Sequence, residues 1–236
     1  MNKSILATLG LVAGIIVASS ASAAGGPAIG VAEFKNETSA GWWRGDVGWE
    51  LSGMLSNELS SSGFRIVERS KLEKVLAEQD LASSGRVRKG TGARTGQLTG
   101  ADYLVFGTVT SYQENASSTG GGIAIRGIAL GGKKSEAYIA VDIRVVNATT
   151  GEVSYSRTIE GHSSSSGVAV GISRGGFGGA LAHEEKTPAG KAIRAALVET
   201  GDYLSCVMIK RDACLSEFNA KEQKRRDNDK KALKLD

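Results

Sequence analysis

Residues 138–159, YIAVDIRVVNATTGEVSYSRTI, decide the fold of this chain. Their first half alternates apolar with small or charged side chains, which is the pattern of a strand that buries one face. Asn147 to Gly151 is rich in turn-forming residues, and Glu152 to Ile159 has the composition of a returning strand. The stretch therefore predicts an antiparallel hairpin with four residues directed at the core: Ile139, Val141, Ile143 and Val145.

Three shorter strands are predicted before the hairpin, at residues 28–34, 64–67 and 101–110. The third, ADYLVFGTVT, is apolar on both faces, which is typical of a strand in the middle of a sheet. Two helices alternate with these strands: one over residues 46–59, and one that begins with a capping box at Ser70–Glu73. Their expected buried faces are Val47, Leu51, Met54, Leu55 and Leu59 in the first helix, and Leu72, Val75 and Leu76 in the second.

After the hairpin, the sequence predicts a further helix, from Pro188 towards Met208, and a charged tail at residues 221–236. The order β-α-β-α-β, hairpin, α indicates an α+β fold, with helices packed on a mixed sheet. The two cysteines are Cys206 and Cys214. In an exported protein they are able to form a disulfide, whereas the alternative makes Cys206 a small buried residue of an apolar run.

The first 23 residues have the composition of a signal peptide. Lys3 precedes an apolar run, Ile5–Ala18, and Ala21–Ala23 matches the small-residue pattern of a cleavage site. The run is shorter than the roughly 18 residues that a membrane-spanning helix needs. We therefore expect export, with cleavage before Ala24 and one domain over residues 24–220.

Charge is concentrated near the C-terminal end. Residues 24–220 carry 21 basic and 21 acidic side chains, whereas residues 221–236 carry seven basic and four acidic ones. The predicted domain is therefore neutral, and its composition does not favour a nucleic-acid partner.

Two glycine-rich segments, at residues 117–134 and 162–182, are longer than ordinary loops of a small domain. Each continues a predicted strand and contains a short alternating run, which favours two projecting β-hairpins at about residues 111–146 and 152–187. An apolar face opposite a small or polar face is typical of a membrane barrel strand. Four such strands cannot close a barrel, whereas a ring of several subunits can. The alternative is a pair of soluble loops. The candidate membrane-hairpin residues are Ile123, Ile125, Ile128, Leu130, Val168, Val170, Ile172 and Phe177.

Motifs of enzyme chemistry are weak in this chain. Ser173 lies in a G-x-S-x-G pattern, but glycines follow it where a nucleophile elbow continues into a helix, and the available bases are His162 and His183. Lys134 stands where a phosphate-binding loop needs Ser or Thr. The histidines and cysteines have no zinc-site spacing. We therefore expect no catalytic residues, no cofactor and no metal.

The three tryptophans are Trp42, Trp43 and Trp49. Trp49 is predicted on the core-facing side of the first helix. Adjacent Trp42 and Trp43 are not expected to face one core together, so the loop that carries them is a candidate partner-contact site.

Four segments, taken in order, resemble the CsgG/HfaB family: IGVAEFKNET (29–38), FRIVERSKLEKVLAEQ (64–79), GADYLVFGTVTSYQ (100–113) and VDIRVVNATTGEV (141–153). The resemblance extends from about Ala28 to Met208, with the two glycine-rich segments on either side of the last motif. It implies an α+β periplasmic domain from which two hairpins per subunit assemble a ring-shaped transmembrane β-barrel in the outer membrane. It also implies a homo-oligomer that exports extracellular fibre subunits with periplasmic accessory proteins and without a nucleotide cofactor.

The family's constriction loop follows the first strand, and by position it corresponds here to residues 36–44. Asn36, Trp42 and Trp43 are the candidate constriction or partner residues. Gly41, Trp42 and Trp43 stand where the family pattern has tyrosine, asparagine and phenylalanine. Ala24 stands where the family's lipoproteins carry the lipid-bearing cysteine. The alternative function is a soluble periplasmic binding module, similar to the lipoproteins that activate penicillin-binding proteins, with the same core but without membrane hairpins.

Overall fold

A computed structural model describes residues 25–118, 123–125, 128–130, 133–164 and 187–234. The predicted signal peptide lies outside the described residues, as do four of the candidate membrane-hairpin residues: Val168, Val170, Ile172 and Phe177. Ser173 and His183 also lie outside them.

The described strands form one mixed sheet of six strands and a separate two-stranded ladder. The strands are β1 Ala28–Val31, β2 Lys35–Asn36, β3 Arg65–Ile66, β4 Tyr103–Ser118, β5 Ile123–Ile125, β6 Ile128–Leu130, β7 Lys133–Asn147 and β8 Val153–Ser164. In the large sheet the order is β3-β1-β4-β7-β8, and β2 pairs with β4 beyond the end of β1. The strands β1, β2 and β3 run parallel to their neighbours, whereas β7 is antiparallel to both β4 and β8.

Four α-helices accompany these strands in the part of the chain that the structure describes. They are α1 Val47–Ser61, α2 Leu72–Ser83, α3 Pro188–Ser205 and α4 Cys214–Leu233, and a π-helical turn, Cys206–Lys210, follows α3. Thr187 begins α3 by accepting a hydrogen bond from the Gly190 N–H, and Pro188 occupies the first turn as predicted. The predicted α+β class, a mixed sheet with packed helices, is confirmed.

The hairpin at residues 138–159 and its core face are confirmed. Val141 lies opposite Ile159 in the antiparallel pair of β7 and β8. The four predicted core residues of β7 are at most 3% exposed, and they belong to the same apolar core as α1 and α3. Helix α3 approaches β8 so closely at Gly161 that a Cβ built there would lie 2.0 Å from the Ala192 carbonyl oxygen. The absence of a side chain at Gly161 thus permits this helix–sheet contact.

The strands β4 and β7 extend beyond their predicted ends at Thr110 and Tyr138. They remain paired as far as Ser118 opposite Lys133, well into the first glycine-rich segment. The ladder contains a bulge between Val109 and Ser111. An extra residue in one strand shifts the phase of side-chain alternation, so the pattern before Thr110 does not continue in the same phase although the strand does.

The predicted buried face of α2 is wrong. Val75 and Leu76 are 39% and 42% exposed, and Gln79 is the buried residue of this helix. The predicted capping box is wrong as well. The Glu68 carboxylate accepts hydrogen bonds from the Ser70 hydroxyl (2.7 Å) and the Lys71 N–H (3.1 Å), so an acidic residue before the helix takes the role expected of Ser70.

Trp49 was predicted on the core side of α1, and this is also wrong. It is half-buried and lies outside the core cluster, whereas Val47, Leu51 and Leu55 form the buried stripe. At 100° per residue, Trp49 points away from that stripe.

The structure confirms both predictions for the cysteines, a disulfide bond and a buried Cys206. Cys206 is 1% exposed and is disulfide-bonded to Cys214, with 6.0 Å between their Cα atoms. The bond joins the end of α3 to the start of α4. Residues 221–233 of the predicted charged tail are therefore part of a helix whose first turn is covalently held to the domain.

Candidate functional site

The loop between β2 and α1 carries all three candidate constriction residues. Asn36 ends β2, and its side chain folds back on the loop rather than extending from it. Its Oδ1 accepts hydrogen bonds from the Thr38 N–H (2.9 Å) and hydroxyl (2.7 Å), and its Nδ2 donates to the Thr38 carbonyl (3.1 Å). Asn36 therefore shapes the loop where the chain leaves the sheet.

Trp42 and Trp43 pack together at the other end of this loop. Their ring centroids lie 5.5 Å apart, and both side chains are half-buried against the apolar core. The prediction that adjacent tryptophans cannot face one core together is wrong here. The Trp43 N–H donates to the Ala40 carbonyl (3.1 Å), which closes a turn, and successive side chains of a turn need not point to opposite sides as they do in a strand.

Tyr112 of β4 completes this aromatic cluster and was not predicted. Its ring meets Trp42 edge-on at 5.5 Å, and its hydroxyl donates to Glu114 (2.7 Å). Tyr112 lies just beyond the bulge of β4, opposite Ile139 on the helix-covered face. The loop thus packs against β4 just beyond its bulge. A second phase of alternation after Thr110 is the signal in the sequence that could have identified Tyr112.

The Trp42 indole N–H is buried without a hydrogen-bond partner in the described structure. A buried donor of this kind costs about 1–3 kcal/mol when it is left unpaired. The chain itself covers this nitrogen, so the surface that the loop presents consists of the exposed parts of the two indole rings.

The face of the sheet opposite α1 and α3 is polar. Thr158 donates to Asp142 (2.7 Å) between β8 and β7, and Tyr138 donates to Glu160 (2.9 Å). Burial, followed by the hydrogen bond and charge of Glu160, raises the pKa of Tyr138 well above its ordinary range, so the phenol stays protonated. A groove of about 370 Å³ lies on this face, and its lining includes Glu37, Arg144 and Arg225.

Helix α4 borders this groove and is anchored through Arg157 of β8. The Arg157 side chain is only 7% exposed; it donates to the Phe218 carbonyl, lies 4.8 Å from the Tyr203 ring centroid and lies 3.9 Å from Glu222. Burial alone would raise the pKa of Glu222, but hydrogen bonds from Arg225 and Arg226, together with the charge of Arg157, hold it below its ordinary value. Glu222 is therefore an ionised partner for three arginines.

The described residues bring together no group of three His, Cys, Asp or Glu side chains able to hold a metal ion. His162 is largely exposed, with its Nε2 3.9 Å from Glu160. None of the helices in the described ranges is long and apolar enough to cross a membrane.

Comparison with curated proteins gives two matches, both described as the curli production assembly/transport component CsgG, from Salmonella typhimurium and Salmonella typhi. Each is 32% identical over 108 residues, which is 43% of this chain and 39% of the relative. The matched segment thus spans well under half the length of these relatives.

Solved structures similar to this chain are distant. The hypothetical protein CT253 of Chlamydia trachomatis is 14% identical, with a TM-score of 0.46 over 78% of this chain and 99% of that one. Lipoprotein GNA1162 of Neisseria meningitidis is 18% identical, with a TM-score of 0.37 over 62% and 89%. The PelC dodecamer of Paraburkholderia phytofirmans is 16% identical, with a TM-score of 0.38 over 79% and 90%.

The model of one protein family, described as curli production assembly/transport component CsgG, matches residues 14–233. This range contains the four resembling segments, the loop with Trp42 and Trp43, and both glycine-rich segments. The resemblance noted from the sequence is confirmed, and the chain belongs to the CsgG family.

Proposed function

We propose that this chain is the subunit of a curli-type secretion channel in the outer membrane of a Gram-negative bacterium. In this proposal a homo-oligomeric ring exports extracellular fibre subunits, with help from periplasmic accessory proteins, and performs no catalysis. The observation that carries the proposal is the family match over residues 14–233, because it includes both glycine-rich segments as well as the α+β domain.

The length of β4 supports a role for these segments beyond the domain. β4 has 16 residues, and the eight from Ser111 to Ser118 lie beyond the bulge. The part of β4 after the bulge continues in register with β7. In the proposed ring, these strands continue into the membrane as the first hairpin, which carries Ile123, Ile125, Ile128 and Leu130. The segment that contains Val168, Val170, Ile172 and Phe177 supplies the second hairpin.

The loop of residues 36–44 is proposed to narrow the pore. Asn36 holds its first turn, and the Trp42–Trp43 pair supplies aromatic surface. A translocating chain presents apolar side chains, which pack on aromatic rings.

Assembly and location are tested first. Cells that make the full chain are fractionated, and unheated and heated membrane samples are compared by semi-native electrophoresis. The proposal predicts a large, heat-sensitive oligomer in the outer membrane that conducts ions in planar bilayers. A monomer confined to the soluble periplasmic fraction would contradict the channel and favour the binding module.

The loop is tested by single-channel conductance of Trp42→Ala/Trp43→Ala. If the two rings narrow the pore, their removal increases conductance severalfold. The matched variant Trp42→Phe/Trp43→Phe keeps an aromatic ring at each position and should stay close to the unmodified channel. Equal conductance of both variants, in a channel that still assembles, would exclude this loop as the constriction.

A further inference from the structure

Helix α2 presents an apolar stripe that stays exposed among the residues that the structure describes. Leu72, Val75 and Leu76 follow helical spacing, but Val75 is 39% and Leu76 42% exposed. Gln79, the next residue of the stripe, is 8% exposed. Leu98, in the segment that follows α2, is 48% exposed. The side chains of Val75 and Leu76 are therefore placed for contact with another surface.

The segment after α2 adds positive charge to the same surface. It folds back on the helix, since a Cβ built on Gly92 would lie 2.8 Å from the Ala82 Cβ. This segment carries Arg86, Arg88, Lys89 and Arg94 with no acidic residue between them, and all four are exposed. Within the ranges that the structure describes, none of the four forms an ion pair.

A complementary surface exists on α1. Asp46, Trp49, Glu50 and Gly53 have the spacing i, i+3, i+4 and i+7, which places them on one stripe of the helix and its cap. This is the outward stripe, because Val47, Leu51 and Leu55 form the buried one. Trp49 is half-buried outside the core, and a Cβ built on Gly53 would meet nothing within 4 Å. The stripe thus presents an aromatic ring with open space beside it, the exposed carboxylate of Asp46, and the half-buried Glu50 next to them.

The two surfaces are complementary in charge and in the apolar side chains that they present. An aliphatic stripe beside four cations faces an aromatic ring beside two anions, and a small residue next to a large one accepts a ridge from another helix. Because the two surfaces carry opposite charges, the α2 surface of one copy attracts the α1 stripe of another copy.

We propose that the α2 surface of one subunit docks on the Asp46–Gly53 stripe of α1 in a second copy of this chain. The contact joins two different patches, so repetition produces a ring if the rotation closes. This inference rests on the proposed function, because it assigns the subunit contact of that ring. Trp49 is the expected anchor, with Val75 and Leu76 against its ring and Arg86 and Arg88 facing the carboxylates.

Charge exchange in the full chain tests the contact. Arg86→Glu/Arg88→Glu and, separately, Asp46→Lys/Glu50→Lys should each lower the oligomer fraction at least tenfold in unheated membrane extracts. The chain that carries all four substitutions should assemble again, because the charges pair in the reverse sense. Recovery in that chain also shows that the component variants fold.

The apolar part is tested with Leu76→Glu, which should abolish the oligomer. Leu233→Glu on α4 is the matched control, because Leu233 is 67% exposed and lies outside both surfaces. If the unmodified chain forms oligomers and all of these variants do so equally, the docking inference is wrong while the ring stands. If the unmodified chain itself is monomeric, the ring and the docking inference are both wrong.

Discussion

The contact between α3 and β8 at Gly161 allows a quantitative prediction. A Cβ added at residue 161 would lie 2.0 Å from the Ala192 carbonyl oxygen and 2.9 Å from the Ala196 N atom. Both are helix backbone atoms, so no side-chain rotation relieves the overlap. Ordinary contact begins at 3.4 Å, and α3 must therefore move outward by about 1 Å or more. This movement loosens the packing of Ala192, Ile193 and Ala196, which are at most 2% exposed.

We expect Gly161→Ala to lower the free energy of unfolding by about 3 kcal/mol, the upper part of the range for overpacked cores. Urea denaturation followed by far-ultraviolet circular dichroism measures the effect. With a slope of about 2 kcal/mol/M, the midpoint falls by about 1.5 M.

The matched control is Gly100→Ala. This glycine is exposed and a Cβ built on it meets nothing within 4 Å, so the same substitution should be neutral or stabilise by up to about 1 kcal/mol. Equal midpoints for the two variants would refute the reasoning, since they would show that the methyl group at residue 161 meets no helix backbone.

Three further predictions concern the attachment of α4. Arg157→Met removes the donor to the Phe218 carbonyl and the positive charge near Glu222. We expect it to weaken the docking of α4 by about 2–3 kcal/mol, which would be measured as faster amide exchange over residues 218–226. Reduction of the Cys206–Cys214 bond, which closes a loop of sequence separation 8, should lower the free energy of unfolding by about 2–3 kcal/mol in the same urea assay; an unchanged midpoint would contradict this. Because the pKa of Glu222 is lowered in the folded chain, its contribution is complete above the ordinary value of 4.5 and is lost as pH falls through the lowered one. Amide exchange of α4 should therefore be constant from about pH 5 to 7, after correction for intrinsic rates, and increase below about pH 4. Glu222→Gln should remove this acid sensitivity.

The elements predicted correctly are those that bury a periodic face within the chain. The alternation in β7 and the spacing of Val47, Leu51 and Leu55 in α1 place side chains in one core, so local pattern and tertiary packing agree. Helix α2 has equally good spacing, but Val75 and Leu76 remain exposed. Periodicity identifies an apolar stripe without identifying the surface that covers it.

Helix α4 shows the converse case. Its charged residues give no apolar stripe, and Phe218 is its buried residue in the described structure. Its position depends on Cys214, on Arg157 of a distant strand, and on Lys221, which donates to Glu199 of α3 (3.0 Å). These contacts join residues far apart in the sequence, so no local pattern predicts them.

The aromatic cluster depends on the bulge in β4. The core-facing residues of this strand are Val105 and Val109 before the bulge and Tyr112 after it, so the interval between them changes from even to odd. In a regular strand that interval would put Tyr112 on the polar face, away from Trp42. The extra residue between Val109 and Ser111 returns Tyr112 to the helix-covered face, where it meets the indole edge-on. The loop of Trp42 and Trp43 and the outer part of β4 are therefore in direct contact. If the outer strands enter a membrane as proposed, their position and the conformation of the constriction loop are set by the same bulge.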